Sequence, residues 1–146
     1  MKIEIQLDPN QQETKVIIVT EQMTDEVKEL MDRLSNEQPR VIAGFQGEQV
    51  EILEPEDIYR IYGASQKIYA VTELGEYQLR SRLYELEERL VRLGFIRISN
   101  SEIVNVKKIK SFDLSYTGTI GVVLSNGTST FVSRRYMAKI KQALGI

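Results

Sequence analysis

The chain of 146 residues contains neither cysteine nor histidine. Without cysteine it can form no disulfide, no thiolate zinc site and no thiol nucleophile. Without histidine it lacks the most frequent general base and the most frequent transition-metal ligand. Glycine-rich phosphate-binding motifs of the GxGxxG and GxxxxGK[ST] types are also missing. These absences exclude most hydrolase triads and the recognisable nucleotide-binding loops.

Long apolar runs are missing as well. No stretch approaches the roughly 20 apolar residues of a membrane-spanning helix, and the first residues alternate apolar and charged side chains, unlike a signal peptide. Carboxylates are paired at Glu54, Glu56 and Asp57, in a proline-containing turn, and at Glu87 and Glu88, on an expected exposed helix face. Catalysis by such pairs is disfavoured there. We therefore expect a soluble cytoplasmic protein that is not an enzyme and uses no cofactor and no small-molecule substrate.

Basic residues are scarce in the first two thirds of the chain. Residues 1–94 carry 11 Lys and Arg against 19 Asp and Glu, a net charge of −8, whereas residues 95–146 carry 8 against 2, a net charge of +6. The overall charge of −2 hides this separation. A cationic segment of this kind favours a polyanionic partner, with nucleic acid as the first candidate.

Residues 1–38 predict a small acidic β-β-α unit with a net charge of −5. Apolar and polar residues alternate over residues 2–7, and residues 16–19 form an apolar run, so we predict a strand at each. Apolar side chains recur at helical spacing over residues 24–35 and predict an amphipathic helix. Residues 36–39 are typical of a linker. We expect this unit to dimerise or to bind a regulatory partner.

Residues 40–146 predict a mainly β fold with helices, of the α+β class. Short apolar segments alternate with turn residues along this stretch, and Asn126-Gly127 is the strongest hairpin signal. Leucines at helical spacing predict a helix over residues 83–93 that ends at Gly94. We expect these leucines in the core, with a dimer seam as the alternative. A last helix is predicted from about residue 133 to residue 144.

The first candidate binding site consists of Ser133, Arg134 and Arg135. Ser133 is expected to cap the last helix, which places both arginines in its first turn. The helix dipole makes a positive charge there unfavourable by roughly 0.3–1 kcal/mol, whereas a bound phosphate would reverse the sign of this effect. In the alternative interpretation both arginines extend into solvent or pair with acidic residues.

A second candidate site lies between two predicted strands. Its polar residues are Arg97, Ser99, Asn100 and Ser101. An asparagine amide can pair bidentately with an adenine edge, and serine can donate to bases or phosphates. A plain turn would use the same residue types. A nearby basic cluster favours the binding interpretation, although a solvated face explains such a cluster equally well. The cluster consists of Lys107, Lys108 and Lys110.

The same region resembles the LytTR family of bacterial DNA-binding domains. The signature segment is matched by Phe95-x-Arg97-Ile98-x-Asn100-Ser101-x-Ile103-Val104-Asn105. The match continues in order at Lys108-Ile109, Leu124-x-Asn126-Gly127, Val132-Ser133-Arg134-Arg135-Tyr136 and Lys141-x-x-Leu144, and upstream at Leu83-x-x-Leu86-Glu87-x-x-Leu90. The resemblance covers about residues 40–146. It implies an elongated set of small β-sheets that binds duplex DNA and regulates transcription.

The resemblance also implies contacts and partners. The DNA-contacting positions of the family correspond here to the turn of Ser65, Gln66 and Lys67, to Ser99 and Asn100, and to Arg135. Many members have histidine at the position of Ser99, so we expect a different contact there. Members bind repeated half-sites through major-groove loops, often as dimers, which implies a homodimer on DNA. Well-known members carry a phospho-receiver domain ahead of the DNA-binding domain. The 38 residues that precede the domain here are too few for that fold, so we expect no control by phosphorylation. Similar short members are inhibited by a membrane protein encoded nearby, and the resemblance implies such a partner here.

Two other functions remain open from the residues alone. The cationic last third could bind an acidic protein, which would make the chain a protein-interaction module, because its two charged portions are complementary to those of a second copy. RNA binding would need exposed aromatic side chains on a sheet, and Tyr59, Tyr62 and Tyr69 are the candidates. The operator, the direction of regulation and the inducing signal are not encoded in any pattern of the sequence.

Overall fold

A computed structural model describes residues 1–35 and 42–146 of the chain. The chain divides into two compact units, Met1–Gln38 and Pro39–Ile146. The linker predicted at residues 36–39 lies outside the described residues.

The N-terminal unit contains the helix α1 (Asp25–Ser35). Thr24 begins it, because the Thr24 hydroxyl accepts a hydrogen bond from the Val27 amide at 3.3 Å. The helix was predicted correctly. The described part of this unit contains no strand, so the strands predicted at residues 2–7 and 16–19 are wrong. A strand requires a hydrogen-bonded neighbour, and neither segment has one among the described residues.

The second unit contains ten antiparallel strands and two α-helices among its described residues, which confirms the predicted mainly β class with helices. Its strands are β1 (Ile42–Gln46), β2 (Gln49–Leu53), β3 (Arg60–Ala64), β4 (Lys67–Thr72), β5 (Gly75–Leu79), β6 (Phe95–Ser99), β7 (Glu102–Asn105), β8 (Ile109–Asp113), β9 (Ile120–Leu124) and β10 (Ser129–Val132). Its helices are α2 (Leu83–Leu90) and α3 (Met137–Leu144). A seven-stranded sheet has the order β2-β1-β5-β4-β3-β7-β6, and a three-stranded sheet has the order β10-β9-β8.

Two hydrophobic cores join the helices of the second unit to its two sheets. One core packs α2 against the large sheet through Leu86, Leu90 and Ile61. The other packs α3 and the small sheet through side chains such as Val122 and Ile140. The strands β6 and β7 contribute to both cores, because successive side chains of a strand point to opposite faces. Leu83, Leu86 and Leu90 are core residues, as the sequence predicts, whereas Leu93 is exposed in the 3-10 turn after α2, so its prediction as a core residue is wrong.

The central strands fix the positions of the loops at their ends. In the pairing of β3 with β7, Tyr62 lies opposite Glu102, and the amide of Gly63 donates to the carbonyl of Ser101 at 2.8 Å. The end of β3 and the start of β7 are consequently neighbours. At the other end of β7, the buried side chain of Asn105 donates to the Ile58 carbonyl at 2.9 Å and accepts from the Lys107 amide at 3.1 Å. This end is closed by hydrogen bonds within the protein.

Candidate nucleic-acid interface

Three chain segments that are distant in sequence form one cleft, which we call the loop cleft. It is lined by residues 63–68, 78–83 and 100–101. The first segment contains the β3–β4 turn, the second joins β5 to α2, and the third is the β6–β7 loop. The predicted candidates Ser65, Gln66 and Lys67 therefore lie beside Asn100 and Ser101. The hydrogen-bonded order β5-β4-β3-β7 brings these segments together.

The β3–β4 turn has an unfavourable backbone conformation. Ser65 and Gln66 have φ angles of 51° and 64°, and both side chains are exposed. Two consecutive positive φ angles define the two-residue turn that normally carries Asn-Gly. Serine and glutamine pay for this conformation with steric crowding of Cβ, of roughly 1–2 kcal/mol per residue. A strained turn with exposed side chains is a hallmark of functional loops.

The β6–β7 loop is shaped by Arg97. Its guanidinium donates to the carbonyls of Ser99 and Asn100 at 2.7 and 2.6 Å and to the Glu87 carboxylate at 2.7 Å. The Arg97 side chain is only 12% exposed. Three of its donor nitrogens are therefore engaged inside the protein. Arg97 holds the loop in place, while the side chain of Asn100 at its tip is exposed.

The turn before α3 joins the same surface. Arg134–Tyr136 forms a single 3-10 turn ahead of α3, and Arg134 and Arg135 are exposed. The amide of Ser133 donates to the Ile98 carbonyl at 2.8 Å, and the Tyr136 hydroxyl donates to the side-chain oxygen of Asn100 at 3.2 Å. These two bonds tie the turn to β6 and to the tip of the β6–β7 loop.

The prediction for the last helix is confirmed in position but not in detail. Both arginines fall in the first turn after Ser133, as expected. The Ser133 side chain makes no capping hydrogen bond, so its predicted capping role is wrong. The first turn is a 3-10 turn, and Tyr136 bonds through its amide to the Ser133 carbonyl instead. The main chain closes this turn without the Ser133 hydroxyl.

Two arginines of the loop cleft were missed by the sequence analysis. Arg80 and Arg82 follow β5 and are both exposed. The Arg80 guanidinium lies 3.9 Å from the centre of the Phe45 ring, and this cation–π contact helps to hold the Arg80 side chain in place. Arg82 occupies the N-cap position of α2. The signal was present, because Arg80-Ser81-Arg82 places two arginines at a helix start just as Ser133-Arg134-Arg135 does.

The cluster of Lys107, Lys108 and Lys110 lies apart from the loop cleft. The ammonium of Lys108 is 4.9 Å from the centre of the Tyr59 ring, and the Tyr59 hydroxyl donates to Glu73 at 3.1 Å. Tyr59 precedes β3, whereas Ser65 follows it. At about 3.3 Å per strand residue, the two ends of β3 are about 16 Å apart. The structure thus brings Lys108 close to an acidic side chain and away from Asn100.

A buried ion pair lies next to the β6–β7 loop. Glu102 is 7% exposed, and its carboxylate accepts from Arg60 and from the Thr130 hydroxyl, each at 2.6 Å. Thr130 belongs to β10, whereas Arg60 and Glu102 belong to the large sheet. The pair therefore links the two sheets directly after Ser101. Such a fully hydrogen-bonded network keeps the loop base rigid.

The three tyrosines considered for RNA stacking do not form an open platform. Tyr59 is buried, and Tyr62 and Tyr69 contact each other with ring centres 5.5 Å apart. The Arg60 guanidinium covers the Tyr62 ring at 4.4 Å. A hydrogen bond to the Glu76 carboxylate is the main cause that raises the pKa of Tyr62 above its ordinary value. Tyr62 is thus a neutral, half-buried residue beside the β3–β4 turn.

Within residues 1–35 and 42–146, no group of three or more His, Cys, Asp or Glu side chains could hold a metal ion. No helix in the same ranges is long and apolar enough to cross a membrane.

Comparison with known proteins agrees with this geometry. The family model described as the LytTr DNA-binding domain matches residues 48–145. Two Staphylococcus aureus proteins, both named as uncharacterised HTH-type transcriptional regulators, are similar over 147 aligned residues that cover 100% of this chain and 99% of each relative. The protein of strain NCTC 8325 / PS 47 is 31% identical, and that of strain MRSA252 is 30% identical. The solved structure of a LytTr DNA-binding domain from Bacillus cereus has a TM-score of 0.71 at 24% identity and covers 75% of this chain and 100% of that one.

Proposed function

Because this chain belongs to the LytTR family of DNA-binding domains, we propose that it regulates transcription by sequence-specific binding of duplex DNA at repeated half-sites. One observation carries the proposal. Hydrogen bonds from Gly63 to Ser101 and from Tyr136 to Asn100 join the β3–β4 turn, the β6–β7 loop and the turn before α3 into one polar surface. We call this the recognition surface. The proposed regulator acts in the cytoplasm, where a bacterial chromosome is accessible.

Base contacts come from the tips of the recognition surface. Asn100 is exposed and can present its amide to an adenine edge, and Arg135 can donate two hydrogen bonds to a guanine edge. Ser65 and Gln66 contact a neighbouring base step from the β3–β4 turn. Ser99 has its hydroxyl engaged with the Ser101 amide at 3.2 Å, so it supports the loop beside the bases. The side chains proposed to contact bases are thus exposed and lie in turns and at a loop tip.

Phosphate contacts surround these tips. The proposed cationic groups are Lys67, Arg80 and Arg82 of the loop cleft and the exposed Arg134 of the turn before α3. Positive groups on exposed side chains attract the backbone and release counterions when they contact it. Ser101 and Ser133 add neutral donors at the same rim. Lys107, Lys108 and Lys110 are left out of the recognition surface, because Lys108 lies by Tyr59 and Glu73 at the opposite end of β3.

A homodimer on DNA follows from repeated half-sites, since each half-site occupies one recognition surface. The N-terminal unit carries a net charge of −5 and is repelled by DNA. It is therefore free for protein contacts. The resemblance suggests a membrane protein encoded nearby as a regulatory partner.

In vitro selection from a random duplex pool tests the proposed function. The full chain is expected to enrich a repeated motif, and fluorescence anisotropy is expected to show tighter binding to the enriched duplex than to a scrambled duplex of equal length. The scrambled duplex controls for charge-driven binding. Failure to enrich any motif, together with binding of an acidic protein in its place, would overturn the proposal in favour of a protein-interaction module.

A further inference from the structure

Glu102 is the only charged residue that is buried in the described part of the chain. Its neighbours Ile103 and Val104 are apolar and fully buried, as is usual for a strand that is covered on both faces. A buried carboxylate loses its hydration, and a well-packed apolar side chain of similar volume is often as stable or more stable at such a position. Stability alone therefore gives no reason for a glutamate here.

The Glu102 carboxylate is shared between the two sheets, with one oxygen for each partner. Its Oε2 accepts from the Arg60 guanidinium on β3, and its Oε1 accepts from the Thr130 hydroxyl on β10, each at 2.6 Å. Arg60 is itself held, because its guanidinium lies 4.4 Å from the centre of the Tyr62 ring. Directional hydrogen bonds to a charged group fix the relative position of their partners more narrowly than apolar contacts do.

The strands that carry this network also carry the segments of the recognition surface. Arg60 lies on β3, which runs into the β3–β4 turn. Thr130 lies on β10, which runs into the turn before α3. Glu102 begins β7 and directly follows the β6–β7 loop. One carboxylate is thus bonded to the base of each of the three segments that the proposed function assigns to DNA.

The alignment of the two sheets depends on contacts between them, because in the described residues the sheets share no paired strand. The hydrogen bond from the Ser133 amide to the Ile98 carbonyl is one such contact, and the Glu102 network is another. Arg135 follows the small sheet, whereas Asn100 lies between two strands of the large sheet. A displacement of one sheet against the other would therefore change the spacing of the two proposed base contacts.

We propose that Glu102 is a positioning residue for DNA recognition. It holds the two sheets, and with them the three segments of the recognition surface, in the alignment that matches a half-site. The effect on DNA rests on the proposed function, whereas the alignment is a property of the free protein. Sequence-specific binding needs several base contacts at once, and non-specific binding needs mainly attraction to phosphates. Loss of alignment therefore weakens the first more than the second.

Native-state hydrogen exchange of the full chain tests the alignment without DNA. Thr130→Val removes the hydroxyl that bonds across the sheets and keeps the volume of the side chain. The Ser133 amide is expected to exchange at least about fivefold faster in this variant. The Asn105 amide, bonded to the Tyr59 carbonyl at 3.0 Å at the other end of β7, should exchange as in the wild type.

Thr130→Ser restores the hydroxyl and is expected to restore slow exchange of the Ser133 amide. This rescue separates the hydrogen bond to Glu102 from general packing of β10. Unchanged exchange at Ser133 in Thr130→Val, or equal acceleration at Ser133 and Asn105, would overturn the inference, because the second result means a general loss of stability.

Anisotropy titrations on the selected duplex and on a scrambled duplex of equal length test the consequence for recognition. Thr130→Val is expected to lower the ratio of the two affinities by about fivefold, mostly through weaker binding to the selected duplex. Thr72→Val is the matched control, because the Thr72 hydroxyl also donates a hydrogen bond, to the Gly75 carbonyl at 3.1 Å, but at the β4–β5 turn. An unchanged ratio in Thr130→Val, or an equal loss in Thr72→Val, would contradict the inference.

Glu102→Gln tests the carboxylate itself, since it keeps the shape of the side chain and replaces one acceptor oxygen by a donor. This variant is expected to lower the affinity ratio at least as much as Thr130→Val. The double variant should lose little more than Glu102→Gln alone, because both changes break the same link. Additive losses would show that the two residues act separately. If no duplex is selected at all, the proposed function fails, and hydrogen exchange alone decides whether Glu102 aligns the sheets.

Discussion

The Tyr136 hydroxyl donates a hydrogen bond to the side-chain oxygen of Asn100 at 3.2 Å, across 36 positions of sequence. This bond leaves the amide nitrogen of Asn100 directed away from Tyr136 and fixes one orientation of the amide group. It also places Arg135, the neighbour of Tyr136, beside the β6–β7 loop. The two residues proposed to contact bases are therefore positioned by one shared contact.

Removal of that hydroxyl is expected to weaken recognition without unfolding the protein. Tyr136→Phe keeps the ring packed against the hydrophobic core of α3 and the small sheet, and it deletes only the hydrogen bond to Asn100. We expect a loss of about 0.5–1.5 kcal/mol in binding to the selected duplex, because the Asn100 amide becomes free to rotate. Anisotropy titration measures the loss, and thermal unfolding followed by circular dichroism should stay near the wild-type midpoint. Unchanged affinity would show that the bond has no part in recognition.

Replacement of Arg135 tests the base contact itself. Arg135→Ala is expected to weaken binding to the selected duplex by about 1–3 kcal/mol and to relax the sequence preference at one position. The side chain is exposed, so thermal stability should change little. Arg92→Ala is the matched control, since Arg92 is also exposed but follows α2, away from the loop cleft. A gel-shift titration in which the two variants bind alike would remove Arg135 from the site.

The two asparagines of the signature segment are expected to behave in opposite ways. Asn105 is buried and bonds to Ile58 and Lys107, so Asn105→Ala should lower the free energy of unfolding by about 1–3 kcal/mol. Asn100 is exposed, so Asn100→Ala should leave stability nearly unchanged and reduce DNA affinity. Urea unfolding and anisotropy, measured on both variants, give the comparison. A large stability loss in Asn100→Ala would assign it a structural role instead.

The β3–β4 turn is expected to show an opposition between stability and binding. Asn and Gly are the residues best suited to two successive positive φ angles. The double change Ser65→Asn/Gln66→Gly should raise the free energy of unfolding by about 1 kcal/mol and lower affinity for the selected duplex. Unfolding in urea and anisotropy are the two measurements. Higher stability with full affinity would mean that these side chains make no contact with DNA.

Salt dependence distinguishes the arginines of the loop cleft from the lysine cluster. Binding should weaken steeply with salt, with a slope of several units on a log–log plot. Arg82→Ala should reduce that slope by about one unit, whereas Lys108→Ala should leave it unchanged, because Lys108 lies by Tyr59 and Glu73. Anisotropy titrations over a salt series supply both slopes. Equal reductions would place Lys108 on the DNA after all.

Local patterns of the sequence predicted much of this fold. The hairpin at Asn126-Gly127, the helix that ends at Gly94 and the last helix are all present, because turn chemistry and helical spacing act over a few residues. The strands at residues 2–7 and 16–19 were predicted by the same rules and are absent from the described unit. Their formation depends on a neighbouring strand, which no local pattern supplies.

Parts of the candidate site depended on distant contacts and could not be predicted. Arg97 was a candidate for DNA contact, but its partner Glu87 lies on α2, and only the packing of α2 on the large sheet makes the pair. Arg80 and Arg82 lie next to Asn100 only because of the strand order of that sheet. The relatives are named as HTH-type regulators, which refers to a helix-turn-helix, two consecutive helices joined by a short turn. In the described residues of this chain, strands separate one α-helix from the next. The proposed recognition therefore uses loops at strand ends.

Arg97 holds the β6–β7 loop through the carbonyls of residues 99 and 100, and every amino acid offers that same carbonyl. The exposed side chain at position 100 can therefore be exchanged while the backbone path is conserved. With the base contacts proposed above, gene duplication followed by substitution at the loop tip would give a descendant with a new operator preference and an undisturbed scaffold. The architecture thus separates the evolution of target choice from the evolution of folding.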